Sequence, residues 1–121
     1  MYYLGDWSQA GYQQGKGVIF VQDEYAFYGD FDTVPHGHGV LESFSSRYVY
    51  EGNFQYGKIE GQGKVHSIDN LFSFEGIFNH KSQPSTGNLI VNNSEDDSKS
   101  YTVILNNYPE NKARIVYREG R

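Results

Sequence analysis

The chain has 121 residues, the length of one domain, and it is rich in glycine and in aromatic residues. Its formal charge of −5 disfavours nucleic acid, whose binding depends on neutralising phosphates, and it also disfavours an anionic membrane surface. Since there is no cysteine, a disulfide framework, a thiolate nucleophile and a Cys-ligated zinc site are excluded, and a reducing, cytoplasmic location is favoured.

The N-terminal segment, Met1–Trp7, enters the first aromatic pattern of the chain directly. It has no basic stretch followed by an apolar core, so we expect no signal peptide. No apolar run approaches the ~18 residues that a membrane-spanning helix requires.

A five-residue element of the form aromatic-x-Gly-x-aromatic occurs four times along the chain. Its glycines, Gly5, Gly29, Gly52 and Gly76, are 24, 23 and 24 residues apart, and such a fixed period is typical of repeat architectures. A second element, Gly-x-Gly-x-aliphatic, follows each one; the copies are Gly15–Ile19, Gly37–Leu41, Gly61–Val65 and Ser85–Leu89, the last with serine as its first residue. The pattern predicts four repeats at about residues 3–24, 27–47, 50–71 and 74–90.

The spacing within each repeat predicts a β-hairpin. Side chains two residues apart share a face of a strand, so Tyr50, Gly52 and Phe54 lie together, as do the alternate residues of Gly61–Val65. Gly57 lies between the two strands, where a tight turn requires positive φ. A glycine between two rings leaves a hollow that a ring from the neighbouring strand can fill. We therefore predict an all-β fold: an elongated, single-layer, twisted antiparallel sheet with one aromatic face and no substantial helix.

The C-terminal residues 91–121 lack the repeat pattern. Residues 92–100 are predicted to form a polar loop, because they are almost entirely polar or charged. The segments Tyr101–Asn106 and Ala113–Arg118 are predicted to form a degenerate fifth hairpin. Such a hairpin would act as a C-terminal cap that covers the edge of the last repeat.

Three patterns in the sequence could carry chemistry, and none is favoured. His36 and His38 have the spacing of a metal clip, but no other histidine lies in a register that converges on them. The acidic run Glu95–Asp97 lies in the polar loop, and a calcium site needs six or more oxygen ligands in a defined geometry. Neither a Gly-x-Ser-x-Gly turn nor a phosphate-binding glycine loop is present. The sequence therefore predicts no catalytic residue, no metal, no cofactor and no enzyme activity.

The repeat resembles the MORN repeat, whose consensus runs Tyr-Glu-Gly-x-Trp/Phe, then Gly-Lys, then Gly-x-Gly. The third copy, Tyr50–Val65, matches this consensus position by position, including Gly57-Lys58 at the turn. The resemblance covers residues 1–90 and implies stacked hairpins. Because MORN-repeat proteins are often associated with cytoskeletal assemblies, cilia and membrane junctions, it also implies a cytoplasmic scaffold associated with the cytoskeleton or a cilium.

A one-layer sheet has no second layer of its own to bury an aromatic face. Either the sheet curls over its own rings or another molecule completes the core. We predict a non-catalytic protein–protein interaction module that binds an amphipathic helix or an extended peptide. The partner is expected to have apolar anchors with Lys or Arg around them, and pairing of two copies of this chain is a further possibility. The predicted contacts are Trp7, Phe31, Phe54 and Phe78, supported by Tyr3, Phe27, Tyr50 and Phe74.

Two alternatives belong to other functional classes. A peripheral phospholipid-binding or membrane-tethering module, a role proposed for some members of the family, requires a basic surface, and the basic cluster here is limited to Arg114, Arg118 and Arg121. A regulatory part of an enzyme is the other alternative, because similar repeats precede methyltransferase and lipid-kinase domains. The segment after Ile90 is too short to be such a domain.

Overall fold

The structure is a computed structural model, and it describes residues 2–92 and 100–117. These residues form ten strands and no helix. The strands are β1 (Tyr2–Trp7), β2 (Gln13–Val21), β3 (Tyr25–Asp32), β4 (Val34–Ser43), β5 (Tyr48–Gln55), β6 (Lys58–Ser67), β7 (Phe72–Phe78), β8 (Pro84–Val91), β9 (Tyr101–Leu105) and β10 (Arg114–Tyr117). They form one antiparallel sheet in sequential order, which confirms the predicted all-β, single-sheet fold.

A row of glycines crosses the sheet from β1 to β8, each one opposite the next. The row consists of Gly5, Gly17, Gly29, Gly39, Gly52, Gly63, Gly76 and Gly87. A Cβ on Gly52 would lie 2.5 Å from Gly63 Cα, so the backbones approach too closely for any larger residue. The two repeated sequence elements therefore meet in this row, one glycine from each strand.

The second strand of each hairpin carries a bulge beside the glycine row. One residue separates Gly5 from Trp7 in β1, whereas three separate their partners Gly17 and Gln13 in β2, which leaves two extra residues. The second and third hairpins have the same arrangement, and the fourth has one extra residue. Because bulges bend a strand and increase its twist, the sheet bends along a line next to the glycines.

An Asp or Asn side chain bridges the strands at each of the first three bulges. The bonds are Lys16 N–H to Asp6 Oδ2 (3.2 Å), His38 N–H to Asp30 Oδ2 (3.1 Å) and Asn53 Nδ2–H to Glu60 O (2.9 Å). The first glycine of each Gly-x-Gly element lies under this side chain, and a Cβ on Gly15 would be 2.8 Å from Asp6 Oδ2. The fourth hairpin has Ile77 in place of the Asp or Asn and Ser85 in place of the glycine beneath it. The bridging side chain and the glycine that it covers are therefore lost together.

The hydrophobic core lies on one side of the sheet, which we call the aromatic face. Its buried members are Ile19, Phe27, Phe31, Tyr50, Phe54, Phe74, Phe78 and Leu105. A flat single layer would leave one side of every ring in water, yet the rings among them are at most 5% exposed. Of the two possibilities raised by the sequence, the structure therefore shows a sheet that bends and covers its own rings.

The C-terminal hairpin continues the same sheet. β9 pairs with β8, and β10 pairs with β9, over slightly shorter spans than the strands predicted from the sequence. At β9 the glycine row ends, because buried Leu105 lies opposite Gly87. Most of the predicted polar loop, including Glu95–Asp97, lies outside the described residues, as do Arg118 and Arg121.

Candidate partner-binding groove

The eight rings predicted as partner contacts form one continuous series of contacts. In order, the series is Trp7, Tyr3, Phe31, Phe27, Phe54, Tyr50, Phe78 and Phe74. Neighbouring rings meet edge to face, with centroids 4.8–5.3 Å apart. Each such pair contributes about 0.5–1.5 kcal/mol beyond the area that it buries, so this aromatic ladder is a major source of stability.

The ladder is mostly closed to solvent. Tyr50 is fully buried, and the five phenylalanines of the ladder are nearly so. Tyr3 is half-buried, and Trp7, at the end of the series, is 58% exposed. The rings thus form the floor of the aromatic face, and a direct contact between them and a partner stays a prediction.

Three rings of the ladder fill hollows above glycines of the next strand. These glycines belong to the Gly-x-Gly elements, whereas the glycines between two rings, where the sequence predicted the hollows, face the neighbouring backbone. A Cβ on Gly63 would lie 2.5 Å from the ring of Tyr50, and the other two pairs of this kind are Tyr3 with Gly17 and Phe27 with Gly39. The Tyr50 hydroxyl also donates a hydrogen bond to the carbonyl of Asn53 at the bulge (2.8 Å). The ring and the hydroxyl together hold β5 and β6 in their bent arrangement.

Burial gives Tyr50 a pH-dependent role in stability. It raises the pKa of Tyr50 to about 12, from 10.0 for an exposed tyrosine. The folded state therefore holds the proton more tightly, and this contribution is intact below pH 10 and is lost between pH 10 and 12. We expect the melting temperature to fall as the pH rises across that interval, and to fall less in the Tyr50→Phe variant. Thermal unfolding monitored by circular dichroism measures both. Phe27 and Phe74 occupy the equivalent positions, so phenylalanine fits; identical pH profiles would contradict the assignment.

A cavity of about 410 Å³ opens on the aromatic face above β2–β5. It is lined by Ile19, Glu24, Tyr25, Phe27, Val34, Pro35, Leu41, Ser43, Ser45, Tyr48, Phe54 and Gly57. Phe27 and Phe54 of the ladder are among these residues. Tyr25 and Val34 come from opposite ends of one hairpin, so the cavity extends along that hairpin. We call it the groove, and we call its lining residues outside the aromatic ladder its walls.

The walls of the groove were not identified from the sequence. Tyr25 and Tyr48 each precede a ladder residue by two positions, so they lie on the same face, and both pack against the core. Leu41 is the aliphatic residue of a Gly-x-Gly-x-aliphatic element. These spacings were available in the sequence, but only the bend of the sheet turns such residues into walls.

The groove is mostly apolar, and its charged lining residue is acidic. Glu24 is the carboxylate among its lining residues, and they include no Lys, Arg or His. The opposite face of the sheet carries the charged pairs instead: Glu51 lies 3.7 Å from His38 and 4.0 Å from Lys64. Such exposed pairs contribute little to stability, so this face is a suitable control surface.

The two histidines weighed as a metal clip have different neighbours. His36 Nδ1 accepts a hydrogen bond from Tyr56 N–H (3.1 Å), whereas His38 lies beside Glu51. Within residues 2–92 and 100–117, no group of three or more His, Cys, Asp or Glu side chains is placed to hold a metal ion.

These features define a repeat protein made of β-hairpins in a single sheet, with a groove on its aromatic face. A family model for the MORN repeat matches residues 32–45 and 50–71, so this part of the chain consists of MORN repeats. MORN repeats are non-enzymatic and generally serve as protein or membrane interaction modules. The chain matches no curated protein. In the part of the chain that the structure describes, no helix has the length and apolar character needed to cross a membrane.

Proposed function

We propose that this chain is a non-catalytic interaction module that binds a segment of another protein in the groove of its aromatic face. The groove itself carries the proposal: a cavity of about 410 Å³ with apolar walls lies on a sheet whose core is already complete. Because the aromatic ladder holds the floor in place, the groove exists before a partner binds. A preformed site lowers the cost of association.

The partner is an amphipathic helix or an extended peptide laid across the strands. Its apolar anchors contact the wall residues Val34, Leu41 and Tyr48, which remain partly accessible. The buried rings act mainly by supporting those walls. Recognition of this kind depends on a few apolar anchors surrounded by a polar rim.

The cellular setting is part of the same proposal. We infer a scaffold subunit of a cytoskeletal or ciliary assembly in the cytoplasm, and the support is the presence of MORN repeats. Anionic lipid fits the groove less well than a protein segment, because the lining residues carry a carboxylate and no basic side chain.

The test compares two double variants with similar apolar losses on opposite faces. Val34→Gln with Leu41→Gln alters the groove, and Val18→Gln with Val40→Gln alters the opposite face; Val34 and Val18 are similarly exposed. Burying one such side chain is worth about 1.5–3 kcal/mol, so the groove variant should bind its partners at least tenfold more weakly. The measurement is co-purification from native cells followed by mass spectrometry.

Melting temperatures of both double variants provide the folding control. The proposal predicts that the opposite-face variant retains the partners of the wild type. It is contradicted if the groove variant melts like the wild type and still captures the same proteins undiminished. Flotation with phosphoinositide vesicles completes the test, because groove-dependent vesicle binding would favour the lipid alternative.

A further inference from the structure

One wall of the groove contains a slot between two tyrosines. Tyr25 in β3 and Tyr48 in β5 both lie opposite Ser43 in β4. Neighbouring strands are about 4.8 Å apart, so the two tyrosine backbones are about 10 Å apart. Ser43 lines the cavity together with both tyrosines, and its side chain is too small to fill the space between theirs.

Both tyrosines pack against the core but remain partly accessible, and their hydroxyls are free among the described residues. Neither ring belongs to the aromatic ladder, and neither hydroxyl makes a hydrogen bond within residues 2–92 and 100–117. Glu24, which lines the same cavity, likewise makes no ion pair or side-chain hydrogen bond there. The slot therefore offers two ring surfaces and one free carboxylate to an incoming group.

These three groups match a cation. A group midway between the two tyrosine backbones would be about 5 Å from each strand, so a cation there would lie between the two side chains and could contact both rings. The nearby carboxylate of Glu24 adds charge complementarity. The adjacent Arg47 does not line the cavity. Its charge acts on Asp69, whose pKa is lowered mainly by a hydrogen bond from the Ser67 side chain and, to a smaller extent, by Arg47.

The next hairpin provides a comparison within the molecule. Tyr48, Ser67 and Phe72 repeat the same spacing of ring, buried serine and ring. Its nearby carboxylate is already engaged, since Asp69 Oδ1 accepts a hydrogen bond from Leu71 N–H (3.2 Å). The slot beside Glu24 is thus the better site for an external cation.

We propose that the slot between Tyr25 and Tyr48 receives an arginine side chain of the protein segment that occupies the groove. This inference rests on the proposed function and names the anchor of the partner. Arginine suits the slot better than lysine, because its planar guanidinium stacks between rings and pairs with a carboxylate in a bidentate manner.

The test is an NMR titration of the full chain with N-acetyl-arginine methylamide. N-acetyl-citrulline methylamide is the matched probe, because it has nearly the same shape without the charge. We expect saturable shifts at Tyr25, Ser43 and Tyr48 with the arginine probe and weaker ones with the citrulline probe. Absence of saturable shifts at these residues, or equal affinity for the two probes, would overturn the inference.

Two pairs of variants identify the groups responsible. Glu24→Gln removes the carboxylate, and its neighbour Asp23→Asn, outside the cavity, is the control. Tyr48→Leu removes a ring and keeps apolar bulk, whereas Tyr48→Phe keeps the ring. We expect Glu24→Gln and Tyr48→Leu to weaken the arginine probe by about two- to thirty-fold, and the two controls to bind like the wild type. Wild-type affinity in Glu24→Gln and Tyr48→Leu, with unchanged melting temperatures, would count against the slot.

The outcome is separable from that of the proposed function. If partner capture depends on Val34 and Leu41 but the probe shows no charge dependence, the groove binds a partner and the arginine anchor is wrong. If the arginine probe binds in the slot but the groove variant captures every partner, the slot stands and the proposed function fails.

Discussion

Phe54→Ala should lower the free energy of unfolding by about 3–5 kcal/mol, the usual cost of deleting a large buried ring. Phe54 is 4% exposed, and its ring contacts Phe27 at 4.8 Å and Tyr50 at 5.3 Å. The substitution leaves a cavity in the middle of the aromatic ladder and separates its two halves. Urea denaturation followed by far-ultraviolet circular dichroism measures the change.

Trp7→Ala is the control for this prediction. Trp7 ends the same ladder, is 58% exposed and contacts one ring, that of Tyr3. We expect a loss of about 1 kcal/mol or less, because little area is uncovered and one edge-to-face pair is removed. Equal losses in the free energy of unfolding in the two variants would contradict the assignment of the buried ladder rings as the main source of core stability.

Gly63→Ala should destabilise the chain by about 1–3 kcal/mol, the cost of overpacking a closely fitted core. The backbone of Gly63 does not require glycine for its φ, so alanine would otherwise be tolerated in this strand. The added Cβ, however, would lie 2.5 Å from Cε1 of Tyr50, and the ring would have to move. Thermal and urea unfolding measure this effect.

A double-mutant cycle isolates the contact between ring and hollow. In the Tyr50→Ala background the Gly63→Ala substitution should cost almost nothing, which corresponds to a coupling energy of at least about 1 kcal/mol. Gly52→Ala is the control, because its Cβ would lie 2.5 Å from the backbone of Gly63 and the clash persists without the ring. Additive effects of Gly63→Ala and Tyr50→Ala would contradict the fit of ring into hollow.

Much of the fold could be predicted from the order of residues. The alternation of rings and glycines predicted strands, their shared face and the hairpin turn, where Gly57 has a φ of +85°. The glycines that the sequence indicated do meet across the sheet. These features are local, because a strand alternates its side chains whatever surrounds it.

The site could be predicted only in part. The eight rings were recognised as one set, and they do contact one another. The degree of burial of the rings was not apparent from the sequence. Periodicity identifies the face of the sheet on which a ring lies, but it does not indicate how much of that face is shielded from solvent. The wall residues Tyr25, Leu41 and Tyr48 follow the same alternation along their strands, so their face could be predicted. Their role as groove walls depends on the cavity, which the alternation does not indicate.

The bulges beside the glycine row were not predicted from the sequence. Asp6, Asp30 and Asn53 each follow the glycine of an aromatic-x-Gly-x-aromatic element, and each bridges to the strand that returns. The fourth repeat, with Ile77, has lost this residue together with the glycine that faces it. That paired change was readable in the sequence as a sign of contact between the two positions.

The amino-acid sequence by itself determined the strands, the face that each side chain occupies and the turn between the strands of a hairpin. It could do so because these properties follow from backbone geometry over a few residues. Tertiary structure alone decided that the ladder is buried and that a groove lies above it. Both depend on the cumulative bend of the sheet and on rings from non-adjacent strands, such as Phe27 and Phe54, meeting across it.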